Sequence, residues 1–140
     1  MQCRTFTLSG GSFNDITDWQ RLRFSVVTDC LFCKIVAREI PADIVLETER
    51  ALAFRDVNPQ APTHVLVVPK SHHANAAALA QADDGLADDV LKACHDVALQ
   101  EGVSESGYRV VFNTGVGAGQ TVFHVHAHVL GGRGLTWPPG

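Results

Sequence analysis

Positive charge is scarce in this sequence. Eleven lysines and arginines stand against fifteen aspartates and glutamates, for a formal net charge of −4 and a pI near 5.9. That balance does not favour a nucleic-acid backbone as partner, which calls for a basic face. A single nucleotide gripped by backbone N–H groups remains compatible with it. Long apolar runs are also missing. None approaches the ~20 residues of a membrane span, and the opening "MQCRTFTLSGGSFNDITDWQRLRF" lacks the apolar stretch of a secretory signal. A cytoplasmic protein with no membrane or nucleic-acid partner is expected. Repeats and low-complexity tracts are absent. What remains is 140 residues, 46% hydrophobic and 19% charged, which fits one folded domain with a real core.

Cysteine is sparse, at four residues: Cys3, Cys30, Cys33 and Cys94. With nothing pointing to secretion, they do not read as a disulfide framework. Cys30 and Cys33 form a C-x-x-C, which is either a redox pair or half of a metal site. Cys94 sits among helical positions and reads as a small buried apolar residue.

Residues 1–28 differ in texture from the rest and are set apart as an extension; the regular signals run through 29–140. "CLFCKIV" has apolar residues at helical spacing, ending near Pro41. "DIVLE", "ALAFRDV" and "THVLVVP" read as strands, with Leu52, Phe54 and Asp56 sharing one face of the second. Residues 83–101 carry Leu86, Val90, Cys94 and Val97 at three- and four-residue steps, an amphipathic helix begun by Asp83 or Asp84 and ended by Gly102. "YRVVFN" and "TVFHVHAHVL" are two more strands. The order is strands, helix, strands, without βαβ alternation. It predicts an α+β fold, an antiparallel sheet with helices packed on one face.

The last of these strands holds three of the seven histidines. On an extended segment His124, His126 and His128 line one face, while Val125, Ala127 and Val129 line the other. One metal ion held by all three is disfavoured, because the outer Cα atoms of such a strand stand ~13 Å apart. The remaining chemistry is acid–base or nucleophilic: imidazole attacks well and, with a pKa of about 6.5, exchanges protons near neutrality. Just before it, "NTGVGAGQT" places Gly115, Gly117 and Gly119 where a backbone can approach a ligand and offer N–H groups to an anion. The stretch is neither a P-loop nor a dinucleotide fingerprint. Beside an imidazole nucleophile, it makes phosphate the natural target.

"HVHAHVL" fits the alternating pattern of the histidine triad family, which the chain resembles over roughly residues 29–140. "DCLFCKIVAREIPADIV", "AFRDVNPQAPTHVLVVPKSH" and "HVHAHVLGGRGLTWPPG" are similar to its branch of nucleoside phosphoramidases, the Hint proteins. The resemblance implies the following roles. His126 is the nucleophile that attacks the α-phosphorus of a purine nucleoside phosphoramidate, and water then releases the nucleoside monophosphate. His128 contacts phosphate and assists proton transfer, and His64 supports the nucleophile from the neighbouring strand. Asp56 and Val57 contact the ribose. Leu31, Phe32, Ile35 and Phe54 form the base pocket, although their spacing alone reads equally as core. Asn113, Gly119, Gln120 and Thr121 contact the phosphate and leaving group, with Thr121 standing where the branch usually has serine. Trp137, in the "WPPG" end, approaches the partner's active site across a two-fold homodimer.

The same resemblance, in its bacterial form, completes Cys30 and Cys33 with a histidine after "PK" and with the first triad histidine. Here these are His72 and His124, giving a structural zinc site; His73 is the neighbouring candidate. Two other readings remain open, a nucleotide-binding module with vestigial hydrolysis and a dinucleoside polyphosphate hydrolase.

Overall fold

The computed structural model describes residues 29–82 and 85–140. The expected 1–28 extension and the Asp83 or Asp84 helix start lie outside them.

Among the described residues eight α-helices and strands follow in order: α1 (Leu31–Val36), β1 (Ile44–Glu47), β2 (Ala51–Arg55), β3 (Thr63–Pro69), α2 (Ala76–Ala80), α3 (Leu86–Gln100), β4 (Tyr108–Val111) and β5 (Ala127–Gly131), with a short 3-10 helix at Val116–Ala118 between the last two. The strands form an antiparallel sheet in the order β1-β2-β3-β5-β4. The expected class is therefore observed. The short helix α2 had no counterpart in the sequence reading; Asn75 starts it by accepting from Ala78 N–H at 3.0 Å.

Period-two alternation sorts the strand residues onto two faces. Ala51, Ala53, Val65, Val67, Ala127 and Val129 face α3 and bury Val90, Cys94 and Val97 beneath them. This is the main core, and burial pushes the Cys94 thiol up to about 12, as suits an apolar role. Leu52, Phe54, Leu66 and Val68 face the other way, against Phe32 and Ile35 of α1. Helices thus cover both faces: α3 takes one, while α1, expected on the same side, takes the other. Its buried pair, Phe32 and Ile35, packs on the outward-facing Leu52, Phe54, Leu66 and Val68 and so roofs part of the second face.

Local chemistry explains the boundaries of α3. Gly85 is its N-cap, at φ +74°, and Asp88 and Asp89 in the first turn complement the helix dipole. At the far end Gly102, at φ +73°, closes a Schellman motif. Gly102 N–H donates to Leu99 and Val103 N–H to Ala98, at 3.2 and 3.0 Å. Val103 then packs on β5, where a Cβ at Gly131 would lie 3.0 Å from its side chain. Only glycine fits there unless Val103 shifts.

Candidate active site and metal cluster

The second face of the sheet is where the chemistry gathers. β3 and β5 pair so that Leu66 opposes His128 and His64 opposes Leu130, placing both imidazoles on the face with Leu66. β5 is shorter than the sequence predicts: it begins at Ala127, and residues 121–126 are irregular. The ladder with β3 stops for an identifiable reason. Pro69 has no N–H to offer, its carbonyl accepts from His124 Nε2 at 2.8 Å, and Val125 N–H donates instead to the carbonyl of His73 at 2.7 Å. The segment therefore leaves the ladder, but the expected alternation persists: Val125 packs in the main core with Ala127 and Val129, and the histidines lie on the side of α1. His126 and His128 stay together, with ring centroids 5.0 Å apart. His124, which like His126 meets Phe32 edge-on, reaches the cysteines.

Hydrogen bonds fix the tautomer of each ring. A carbonyl can only accept, so His126 donates from Nδ1 to the His124 carbonyl at 2.8 Å, leaving a lone pair on Nε2. His64 Nδ1 accepts from Gln60 N–H at 3.0 Å. Its Nε2 therefore carries the proton and donates to His128 Nδ1 at 2.8 Å, which leaves an N–H on His128 Nε2. Burial pushes His128 down to about 4, and neighbouring His126 and His64 push in the same direction. His64 is lowered by burial too, against the opposing charge of Asp56, whose Oδ2 lies 3.4 Å from Nε2. The other oxygen of Asp56 accepts from Asn58 N–H at 2.8 Å.

His126 and His128 open onto a cleft of about 610 Å³. Nine expected residues line it: Leu31, Phe32, Ile35, Phe54, Asp56, Val57, Thr121, His126 and His128. Its lining combines apolar walls with the polar side chains of Asp43, Arg55, Asp56, Thr121 and the two histidines. The sequence reading missed Ile40, Pro41, Ala42, Asp43, Arg55, Leu66 and Val122. Leu66 was legible, since it lies two residues from His64 on the same strand; the loop residues carried no signal.

The remaining expected residues lie elsewhere. His64 is buried behind His128. Asn113 follows β4 and is half-buried, outside the cleft wall. Trp137 is 84% exposed. Gln120 is buried, with its side chain committed to the backbone: Nε2 donates to the carbonyls of Ala74 and Val122, and Oε1 accepts from Gly115 N–H, at 2.7, 3.0 and 2.9 Å. The glycine turn is similarly self-contained. The N–H groups of Ala118, Gly119 and Gln120 all donate within it. Together with Gly115, four of its donors are turned inward, so the expected anion-facing array is not present in that form.

A second cluster adjoins the first. Donor atoms of Cys30, Cys33, His72 and His124 lie within 4.8 Å of one another. His124 Nδ1 is 3.5 Å from each sulfur and 3.2 Å from His72 Nδ1, and Cys33 Sγ is 3.4 Å from that nitrogen. Tetrahedral zinc at about 2.0–2.3 Å from its ligands places donors roughly 3.3–3.8 Å apart, so the spacing fits. The tautomer fits as well: with Nε2–H given to Pro69, His124 presents a lone pair on Nδ1, the arrangement found in metal-bound histidine. His73 points away, its Nε2 3.2 Å from Ser71 Oγ.

Asp56, His64 and His128 form another such group by distance, but the opposite tautomer excludes them from the same role. Neutral His64 carries its proton on the nitrogen a metal would need. His64 and His128 form a hydrogen-bonded relay, with Asp56 beside it.

This pairing of a sheet-borne histidine set with an adjacent cleft defines a histidine triad domain. The HIT domain family model matches residues 37–135, and the chain belongs to the HIT family. An uncharacterised HIT-like protein of Synechococcus elongatus is 54% identical over 112 residues, covering 80% of this chain and 97% of that protein. A 14 kDa zinc-binding protein of Zea mays is 48% identical, over 79% of this chain and 87% of its own length. Among solved structures, a HIT family hydrolase from Legionella pneumophila superposes with a TM-score of 0.77 at 52% identity, over 80% of this chain and all of that one.

Proposed function

We propose that the protein is a purine nucleoside phosphoramidase, a hydrolase that works through a nucleotidyl-histidine intermediate on His126. The observation that carries this reading is the hydrogen bond from His126 Nδ1 to the His124 carbonyl, which leaves the Nε2 lone pair beside a nucleotide-sized cleft. The naming of the Legionella pneumophila relative as a hydrolase supports the reaction class. The base lies among Phe32, Ile35 and Phe54, the ribose hydroxyls donate to Asp56, and the phosphate meets Thr121 and His128. Gln120 acts from behind, by holding the glycine turn that carries Gly119 and leads into Thr121; Asn113, like these two, stays outside the cleft lining.

The chemistry proceeds in two displacements. His126 Nε2 forms a bond to the α-phosphorus as the P–N bond breaks. His128 keeps its Nδ1 occupied by the His64 N–H and offers its Nε2–H to a water on the side of phosphorus opposite His126. That water, made more acidic by the hydrogen bond, gives the departing nitrogen its proton, and the amine leaves. The hydroxide so formed attacks phosphorus, while the P–Nε2 bond breaks to release the nucleoside monophosphate. His64 holds His128 in the required orientation.

Cys30, Cys33, His72 and His124 would hold zinc, whose role is structural: it ties α1 to the segment carrying His124. The name of the Zea mays relative and the donor geometry support this. The reading includes a cytoplasmic, two-fold homodimer. In support, no helix among the described residues is long and apolar enough to cross a membrane, β4 is an edge strand, and the tail bearing exposed Trp137 is anchored by Arg109 donating to the Thr136 carbonyl at 2.8 Å.

The direct test is to quench turnover of a phosphorus-labelled nucleoside phosphoramidate with acid-free denaturant and look for label on the protein. Label is expected on the parent and not on His126→Ala. Equal labelling of both overturns the assignment.

A further inference from the structure

A second cavity, of about 310 Å³, lies against the catalytic cleft. It is lined by Asp29, Cys30, Leu31, Thr121, Val122 and Phe123, and it shares Leu31, Thr121 and Val122 with the cleft. We propose that this cavity is the leaving-group subsite, and that it favours amines bearing a second positive charge. The inference rests on the phosphoramidase reading and specifies its substrate.

Position comes first. In the proposed reading the base lies among Phe32, Ile35 and Phe54 and the phosphate at His126, His128 and Thr121, all of which line the cleft. A group bonded to phosphorus opposite His126 leaves from the phosphate end, because an in-line displacement sets the incoming and departing nitrogens on opposite sides of phosphorus. Thr121 borders both spaces, together with Leu31 and Val122, so the second cavity adjoins the cleft at the residue that meets the phosphate.

Charge and shape then select the occupant. Asp29 is exposed, and among the described residues no cationic side chain pairs with its carboxylate. Phe123 is 49% exposed, an uncommon state for a phenylalanine, and it stands on the same cavity. An anionic group and an aromatic ring around a small apolar-floored space suit an ammonium carried on a short alkyl stem. The carboxylate pairs with the charge and the ring attracts it through its π-face. Anionic leaving groups meet only repulsion there. A terminal phosphate, as in a dinucleoside polyphosphate, is therefore a poor fit.

The test compares nucleoside 5′-phosphoramidates of pentylamine and of 1,5-diaminopentane, which differ by one terminal ammonium. For the full-length protein, kcat/KM is expected to be roughly tenfold higher for the diamine, mainly through KM, as one exposed ion pair plus one cation–π contact implies. Asp29→Asn should bring the ratio of the two substrates close to one, and Phe123→Leu should lower it by about half. Equal kcat/KM for the two amines on the parent protein overturns the inference and leaves the phosphoramidase reading standing. So does a preference that survives both variants. Turnover of neither compound overturns both.

Discussion

His124 serves two neighbours at once: its ring faces Cys30, Cys33 and His72, while its backbone carbonyl accepts the Nδ1–H of His126 at 2.8 Å. One residue thus joins the cysteine cluster to the ring that carries the reactive lone pair. A disturbance of the cluster has a short path to the nucleophile, through a single peptide unit.

Metal content follows directly. Purified protein should carry about one zinc per chain, as expected for a closed four-ligand site. Cys30→Ser, Cys33→Ser and His72→Ala should each lose it and melt at a lower temperature, whereas His73→Ala should retain it. Elemental analysis with a thermal melt decides the point. Full zinc occupancy in Cys33→Ser would refute the ligand set.

The relay predicts a graded response at position 64. His64→Leu removes the donor to His128 Nδ1, and kcat should fall by about 10²-fold, the low end for disturbed acid–base catalysis. His64→Gln keeps an N–H that can reach the same atom and should recover much of the loss. Steady-state kinetics on the two variants separates a positioning role from simple packing, because both substitutions fill the site.

Acid should weaken the fold through His128. Its folded value, about 4, lies below the ordinary value of about 6.5. Between those limits the unfolded chain binds a proton that the folded chain does not. This contribution to stability is therefore complete above pH 6.5 and is lost as pH falls toward 4. Urea midpoints measured from pH 7 to pH 4.5 should decline less steeply for His128→Asn than for the parent; identical slopes would count against the assignment.

Gln120 should matter to the fold as much as to catalysis. Replacing it with alanine strands the Ala74 and Val122 carbonyls and the Gly115 N–H, and should cost about 2–4 kcal/mol of stability. Chemical denaturation measures it. A loss under ~0.5 kcal/mol would mean that solvent or a rearranged turn satisfies those groups.

At the close contact of β5 with the end of α3, Gly131→Ala should destabilise by about 1–3 kcal/mol through overpacking. The effect should shrink when Val103 is also cut back to alanine. Additive losses in the double variant would show that the contact is not the cause.

Much of this architecture was legible from residue order. β3 coincides with "THVLVVP", since an unbroken run of apolar residues buries both faces of a central strand. α3 follows the three- and four-residue spacing of Leu86, Val90, Cys94 and Val97. The cleft wall was legible too, but only as residue types: Phe32 and Ile35 read equally as core, and they are both core and wall. Three things escaped. The early end of the β5 ladder depends on Pro69 and His73, which lie far away in sequence. The placement of α1 on the opposite face depends on which strand residues it meets. The inward hydrogen bonding of the glycine turn depends on Gln120, a residue whose type suggested ligand contact.

Local pattern by itself determined the elements, the α+β class and the identity of the reactive residue types, because alternation and helical spacing are properties of neighbours along the chain. Only the tertiary structure decided the proton positions on His124 and His128, and that His124 meets the cysteines. Those outcomes rest on partners 52 to 94 positions away, and a hydrogen bond between such distant groups exists only once the sheet has brought them together.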